Sequence, residues 1–94
     1  CTGFPYDIGM SERNNLKEFT RVIRHAQGVR RDGSAALDLC RVAEGCFDGF
    51  WELKLKPWDV AAGALIALEA GGQVTSFEGK PFDPFAYTIL CTNG

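Results

Sequence analysis

The sequence feature that most limits the fold of this chain is an almost continuous apolar segment that ends at a pair of glycines. From Val60 to Ala70 the only charged side chain is Glu69, and Gly71-Gly72 follow as a helix stop signal. A helix that is apolar nearly all round needs cover on several sides. Its longest apolar run, Val60–Leu68, is less than half as long as a bilayer span. We therefore expect a deeply packed helix and no membrane partner.

The other periodic segments predict helices that alternate with strands. One helix is expected to begin after an asparagine cap at Asn14-Asn15 and to end before Gly28. A second is expected from the Ser34 cap to Glu44 and ends at Gly45. Its apolar face would carry Ala36, Leu39, Cys40 and Ala43. Strands are predicted at Val29–Arg31, Phe47–Leu55, Gln73–Phe77 and Tyr87–Thr92. This order predicts a layered α/β domain, or part of one, in which helices cover a sheet.

Composition argues against several classes of partner. The formal net charge of the 94 residues is -2, and no basic stripe is interleaved with aromatic residues, so nucleic acid is not expected as a partner. The four cysteines have no zinc-ligand spacing, which favours reduced thiols in a cytoplasmic protein over disulfides. The chain has no initiator methionine, and both ends read as strands cut at turns. We therefore expect a piece of a longer protein.

Two helix N-termini offer groups that could bind a ligand. Asp59 lies in the first turn of the apolar helix, directly after Trp58. A carboxylate there can cap free backbone N–H groups, or it can bind a hard cation such as Mg²⁺ through oxygen. Gly33-Ser34-Ala35 begin the second helix, where unpaired N–H groups accompany an ordinary cap or meet an anion or a hydroxyl oxygen. From the residues alone, both choices remain open.

The segment Trp58–Gly72 resembles the second signature of the inositol monophosphatase family. Its residues, WDVAAGALIALEAGG, match without a gap the pattern W-D-x-A-A-G, then aliphatic residues, then E-A-G-G. The segment Gly33–Gly45 is similar to the family's G-[ST]-A-A helix, and weaker likeness extends over nearly the whole chain. The resemblance implies a layered sheet-and-helix domain, the C-terminal domain of the inositol monophosphatase and sugar phosphatase fold.

The same resemblance implies a metal ligand and a substrate site. Asp59 corresponds to a ligand of a catalytic Mg²⁺, the implied cofactor. Glu52 corresponds to the carboxylate that accepts hydrogen bonds from substrate hydroxyls, and Gly33, Ser34 and Ala35 correspond to the segment whose backbone amides meet the inositol ring. No residue is assigned a catalytic role. The implied activity is hydrolysis of inositol monophosphate or a related sugar phosphate.

The acidic cluster that supplies most of the metal ligands in this family is not in the chain. No D-P-[IL]-D-G-T segment occurs, and Asp83-Pro84 is followed by Phe85-Ala86, without a second carboxylate. We therefore expect that the chain is inactive alone, that its partner is an N-terminal half, and that it forms a homo-oligomer. The alternatives are a non-catalytic structural or interaction domain, or a sister phosphatase acting on histidinol phosphate, fructose bisphosphate or adenosine bisphosphate.

The remaining charged side chains carry weaker predictions. The residues interpreted as solvated are His25, Arg30 and Arg31. Lys54 and Lys56 could help to hold an anionic substrate near Glu52. Asp38 is expected to meet Arg41 three residues later on the surface of the second helix.

Overall fold

An antiparallel sheet of three strands forms the centre of the fold in the computed structural model, which describes residues 1–94. The elements are α1 Leu16–Ile23, α2 Ala35–Ala43, β1 Gly49–Leu53, α3 Pro57–Glu69, β2 Gln73–Thr75 and β3 Thr88–Thr92. The strand order is β1-β3-β2, so the last strand of the chain is the central one. The predicted layered α/β architecture is confirmed. None of the helices combines the length and the apolar character that crossing a bilayer requires.

The strand register explains which face of the sheet packs against the helices. Phe50 of β1 and Val74 of β2 both lie opposite Cys91 of β3, while Glu52 lies opposite Ile89. Residues directly opposite one another share a face of an antiparallel sheet. The core on this face also contains apolar residues of α2 and α3, and consists of Leu39, Val42, Phe50, Val60, Ala64, Ala67, Val74, Ile89 and Cys91. Glu52 therefore belongs to the same face as the core.

Helices α2 and α3 approach each other closely at Gly63. A Cβ atom at Gly63 would lie 2.8 Å from both Cβ and Cδ1 of Leu39, well inside normal contact distance. Leu39 is fully buried and has little room to move. Gly63 therefore sets the spacing of the two helices, because only hydrogen fits at this point of contact.

Helix α3 is covered on one side, so the prediction of cover on several sides is wrong for this chain. Its buried residues are Val60, Gly63, Ala64 and Ala67. On the opposite side Leu65 is 59% exposed, Ile66 47% and Leu68 44%. The segment is helical and apolar as expected, but this chain supplies packing partners on one side of it only.

Two further predictions about local structure are wrong. Residues Val29–Arg31 form no strand, although the Arg30 carbonyl accepts a hydrogen bond from the Thr2 N–H at 2.9 Å. The buried residues of α2 are Asp38, Leu39 and Val42, so the face that packs is rotated from the predicted one. The reason is that α2 packs against both α3 and the sheet, so its buried face is set by two neighbours.

Helix α1 is shorter than predicted and is not packed into the core. It begins after Asn15, as expected, but ends at Ile23, and none of its residues is buried. The Asn15 side chain does not cap it. Asn15 is itself buried, at 1% exposure, and its amide is used elsewhere in the fold. The apolar spacing therefore identified the helix correctly but not the surroundings of its apolar face.

A candidate ligand-binding cleft

A cleft of about 380 Å³ lies where the N-termini of α2 and α3 meet the end of β1. The residues predicted to bind substrate or metal all line it, namely Gly33, Ser34, Ala35, Glu52 and Asp59. These positions are spread over more than 25 residues of sequence, and the fold brings them to one place. The segment Thr2–Tyr6 forms another wall of the same cleft.

The N-terminus of α2 presents backbone N–H groups to the cleft. Gly33 adopts a left-handed φ of +92°, which glycine tolerates without steric cost. Ser34 is the N-cap, and its Oγ accepts a hydrogen bond from the Leu37 N–H at 3.4 Å. Ala35 and Ala36 lie in the first turn, where N–H groups have no partner within the helix. These groups can donate to an oxygen of a bound ligand.

Asp59 uses one carboxylate oxygen as a cap and leaves the other free. Its Oδ2 accepts a hydrogen bond from the Lys56 N–H at 3.0 Å, and Pro57 occupies the first turn of α3. The other oxygen makes no hydrogen bond within the chain. The cap and the metal ligand, which the sequence left as alternatives, are therefore compatible in one side chain.

Glu52 is a buried carboxyl group with no hydrogen-bond partner in the chain. It is 9% exposed, because it lies on the core face of β1, and a Cβ atom on Gly3 would overlap its carboxyl group. Burial, and then the charges of Asp38 and Asp59, raise the pKa of Glu52 to about 7, while Arg31 offsets part of this shift. At neutral pH the group therefore exists both as an acceptor-only carboxylate and as a protonated acid that can donate.

Asp38 is a cleft residue whose surroundings the sequence did not reveal. It is 1% exposed, its Oδ1 has no hydrogen-bond partner, and it makes no ion pair with Arg41, so the predicted surface pair is wrong. Burial and then the charge of Asp32 raise the pKa of Asp38. Its position beside Leu39, four residues before Val42, was the available signal, because it places Asp38 on the face that packs.

A second group of possible metal donors lies close to Asp38. The ligand atoms of Cys1, Asp32 and Asp38 lie within 4.8 Å of one another. A thiol is a soft ligand, and Mg²⁺ prefers oxygen. This group is distinct from Asp59, the predicted metal ligand.

Basic side chains also line the cleft. Arg31, interpreted from sequence as solvated, is exposed, yet it lines the cleft and its guanidinium lies 5.6 Å from the centre of the Phe4 ring. Lys54 and Lys56 line the cleft as well, and the Lys54 ammonium is 2.7 Å from Asp7 Oδ2. His25 is exposed, as predicted, and does not line the cleft. The cleft thus combines acidic and basic groups.

A buried polar network joins the wall of the cleft to β1, and no motif indicated it. Trp51 Nε1 donates a hydrogen bond to Asn15 Oδ1 at 2.6 Å. Asn15 Nδ2 in turn donates to Thr2 Oγ1 at 2.9 Å and to the Gly3 carbonyl at 2.7 Å. Three segments that are distant in sequence are therefore held together by one amide.

Comparisons with known proteins identify the family to which this fold belongs. The model of the inositol monophosphatase family matches residues 2–94, and the chain belongs to that family. It is 50% identical over 93 residues to the inositol-1-monophosphatase of Synechocystis, covering 99% of this chain and 32% of that protein. It is 49% identical to phosphatase IMPL1, chloroplastic, of Arabidopsis thaliana, covering 99% of this chain and 25% of that protein.

A solved structure and a differently named relative complete the comparison. The inositol monophosphatase structure from Anabaena (Nostoc) matches with a TM-score of 0.94 and 49% identity over 99% of this chain and 37% of that one. A putative Nus factor SuhB of Neisseria meningitidis is 54% identical over 82 residues, covering 84% of this chain and 30% of that protein. Relatives are thus not all named for phosphatase activity, and the prediction that nucleic acid is not a partner of this protein is not confirmed. The chain spans about a third of the length of these relatives.

Proposed function

We propose that this chain is the C-terminal part of a Mg²⁺-dependent phosphomonoesterase that hydrolyses inositol monophosphate or a related sugar phosphate. The observation that carries the proposal is the convergence of Asp59, Glu52 and the N-terminus of α2 on one cleft. Membership of the family and the names of the Synechocystis and Arabidopsis relatives support the same activity.

In this proposal different residues of the cleft bind different parts of the substrate and the metal ion. Glu52, as a carboxylate, accepts hydrogen bonds from adjacent hydroxyls of a polyol, and the backbone amides of the segment Gly33–Ala35 donate to its oxygens. The oxygen of Asp59 that makes no hydrogen bond suits a hard divalent ion. Such an ion, when bound, would supply Lewis-acid activation to phosphate ester hydrolysis. Asp59 alone is not a complete ligand set, so further carboxylates must come from outside this chain.

The backbone of the cleft favours an anionic ligand. The N-termini of both α2 and α3 line the cleft, whereas residues at both C-termini line a separate pocket at the other end of the helix pair. The two helices therefore run in the same direction, and each directs the positive end of its dipole toward the cleft. A phosphate ester is the kind of ligand that this arrangement attracts.

The isolated chain fits the alternative hypothesis from the sequence, a non-catalytic domain that associates with other chains. The exposed apolar side chains of α3, Leu65, Ile66 and Leu68, favour association. We propose that the rest of the longer protein covers this side, and that the isolated chain self-associates through it. A cytoplasmic location remains a prediction that nothing in the fold tests.

The test uses the full-length protein that contains this chain. Asp59→Asn should lower turnover of inositol monophosphate at least about a hundredfold, because it removes a charged ligand, a larger change than loss of an outer-shell partner. It should also raise the Mg²⁺ concentration needed for half-maximal activity. Asp83→Asn, an exposed turn position, is the matched control and should leave turnover unchanged.

Two further measurements test whether the chain needs carboxylates from outside it and which substrate is hydrolysed. The isolated chain with added Mg²⁺ should release no phosphate, and clear release would show that the missing carboxylates are not needed. A panel of histidinol phosphate, fructose bisphosphate and adenosine bisphosphate tests the sister activities. Near-normal turnover by Asp59→Asn on every substrate would remove the assignment of Asp59 as a metal ligand.

A further inference from the structure

One wall of the cleft belongs to a closed loop whose two ends are tied together. Asn15 bonds to Thr2 and to Gly3, so residues 4–14, here called the cleft loop, leave and return at the same point. This loop contains neither helix nor strand. Of residues 6–14 none is buried, and Met10 is 94% exposed. Loops of this kind are packed by their own contacts and are often functional.

Lys54 makes the principal polar contacts between the outer part of the cleft loop and the sheet. Its ammonium donates to Asp7 Oδ2 at 2.7 Å and to Ser11 Oγ at 3.0 Å. The Lys54 side chain is 20% exposed in this position. On the far side of the loop, the Arg13 guanidinium lies 4.5 Å from the centre of the Tyr87 ring. Lys54 thus joins the loop directly to the end of β1.

The backbone at Lys54 adopts a conformation that a lysine avoids. Its φ is +62°, in the left-handed region that is unfavourable for residues with a Cβ atom. The Lys54 N–H donates to the Tyr87 carbonyl at 2.9 Å, which fixes this conformation against the neighbouring strand segment. Strained residues of this kind cluster at binding and active sites, where the surrounding structure holds them in place. Glycine would be free of this strain, so a lysine at this position costs stability.

We propose that Lys54 is a positioning residue that holds the cleft loop closed and thereby sets which phosphate esters the cleft accepts. The loop contributes Phe4, Pro5 and Tyr6 to the wall, and Gly3, at its base, lies against the Glu52 carboxyl group. Release of Lys54 would let Tyr6, next to Asp7, move out of the wall, while Asn15 still holds Gly3 beside Glu52. The cleft would then lose contacts to a small polyol and gain room for a bulkier ester.

The proposal is tested by hydrogen exchange and by kinetics, and only the kinetic measurement rests on the proposed function. In the full-length protein, Lys54→Gly removes the contacts to Asp7 and Ser11 and also relieves the backbone strain, so the protein should fold at least as well as before. Hydrogen exchange of amides in residues 7–13 should become about tenfold faster, as expected for loss of a charge-assisted hydrogen bond. Asp7→Asn should change exchange in the same direction, whereas Lys56→Met, which removes a cleft lysine without a loop contact, should leave it unchanged.

Kinetics separates a positioning role from a merely structural one. Lys54→Gly should raise the KM for inositol monophosphate about fivefold with little change in kcat, because the wall contacts a part of the substrate that does not react. The preference for inositol monophosphate over 2′-AMP, a bulkier ester, should fall by a similar factor. Unchanged exchange in residues 7–13 overturns the proposal, and so does faster exchange with an unchanged preference. If the unmodified protein hydrolyses neither ester, the proposed function fails. Equilibrium binding of the two esters to Lys54→Gly and to the unmodified protein then decides whether Lys54 sets the specificity.

Discussion

Replacement of Glu52 by glutamine should stabilise the chain at alkaline pH and much less at acidic pH. The pKa of Glu52 is about 7, against an ordinary value of 4.5, so the folded state binds this proton more tightly than the unfolded state. The stability that the protonated form of Glu52 gives the folded state is present below pH 4.5, is lost as the pH rises toward 7, and is absent above pH 7. Glutamine resembles the neutral acid at every pH, and its gain should therefore grow with pH.

The size of this gain follows from the shift. The difference of about 2.5 pKa units corresponds to about 3.4 kcal/mol at about 1.36 kcal/mol per unit. Because the carboxyl group faces an open cleft, solvent screening reduces this to about 1–2 kcal/mol. The linkage relation places about a quarter of the full gain at pH 5 and nearly all of it at pH 8.

Urea unfolding of the 94-residue chain at pH 5 and pH 8 measures the effect. Any cost of placing an amide in the cleft is the same at both pH values, so the difference between them isolates the titration of Glu52. Glu12→Gln, on the exposed loop, is the matched control and should change stability by less than about 0.5 kcal/mol at either pH. Equal effects of Glu52→Gln at the two pH values would refute the reasoning.

Two further substitutions test how the cleft is held in shape. Gly63→Ala should lower the free energy of unfolding by about 1–2 kcal/mol, since crowding against Leu39 outweighs the roughly 1 kcal/mol gained in helix propensity. Gly28→Ala, where nothing lies within 4 Å, should not destabilise, and stabilisation by Gly63→Ala would contradict the close approach. Asn15→Ala should cost about 2–3 kcal/mol in the same urea assay and shift the emission of Trp51, which loses its 2.6 Å partner. A loss below about 0.5 kcal/mol would show that the buried amide is dispensable.

Local patterns predicted the helices and most of the strands because those patterns are set by neighbouring residues. The stop at Gly71, with φ +90°, follows from backbone chemistry that does not depend on the rest of the fold. The strand predicted at Val29–Arg31 failed because strand formation needs a partner edge, and only Thr2 bonds there. Partner edges are decided by topology, which apolar spacing does not encode.

The candidate site was predicted through family resemblance rather than through spacing. Asp59 and Glu52 were selected because the surrounding residues matched a signature, and the fold places both in one cleft. Asp38 was misjudged, because a charged residue in a helix is usually solvated, and the contacts that Lys54 makes with Asp7 and Ser11 were not predicted. These surroundings come from Cys1 and Asp32 at Asp38 and from the cleft loop at Lys54, and neither has a signature of its own.

The parallel course of α2 and α3 has a consequence for any mutational survey of this cleft. In the proposed function, part of the attraction for anions comes from peptide groups in the first turns of these helices, and replacing side chains one at a time leaves those groups in place. A survey by alanine substitution would therefore understate the main-chain share of the proposed phosphate binding. Replacing individual peptide bonds in these turns by ester bonds, which deletes single N–H donors, would expose the share that belongs to the main chain.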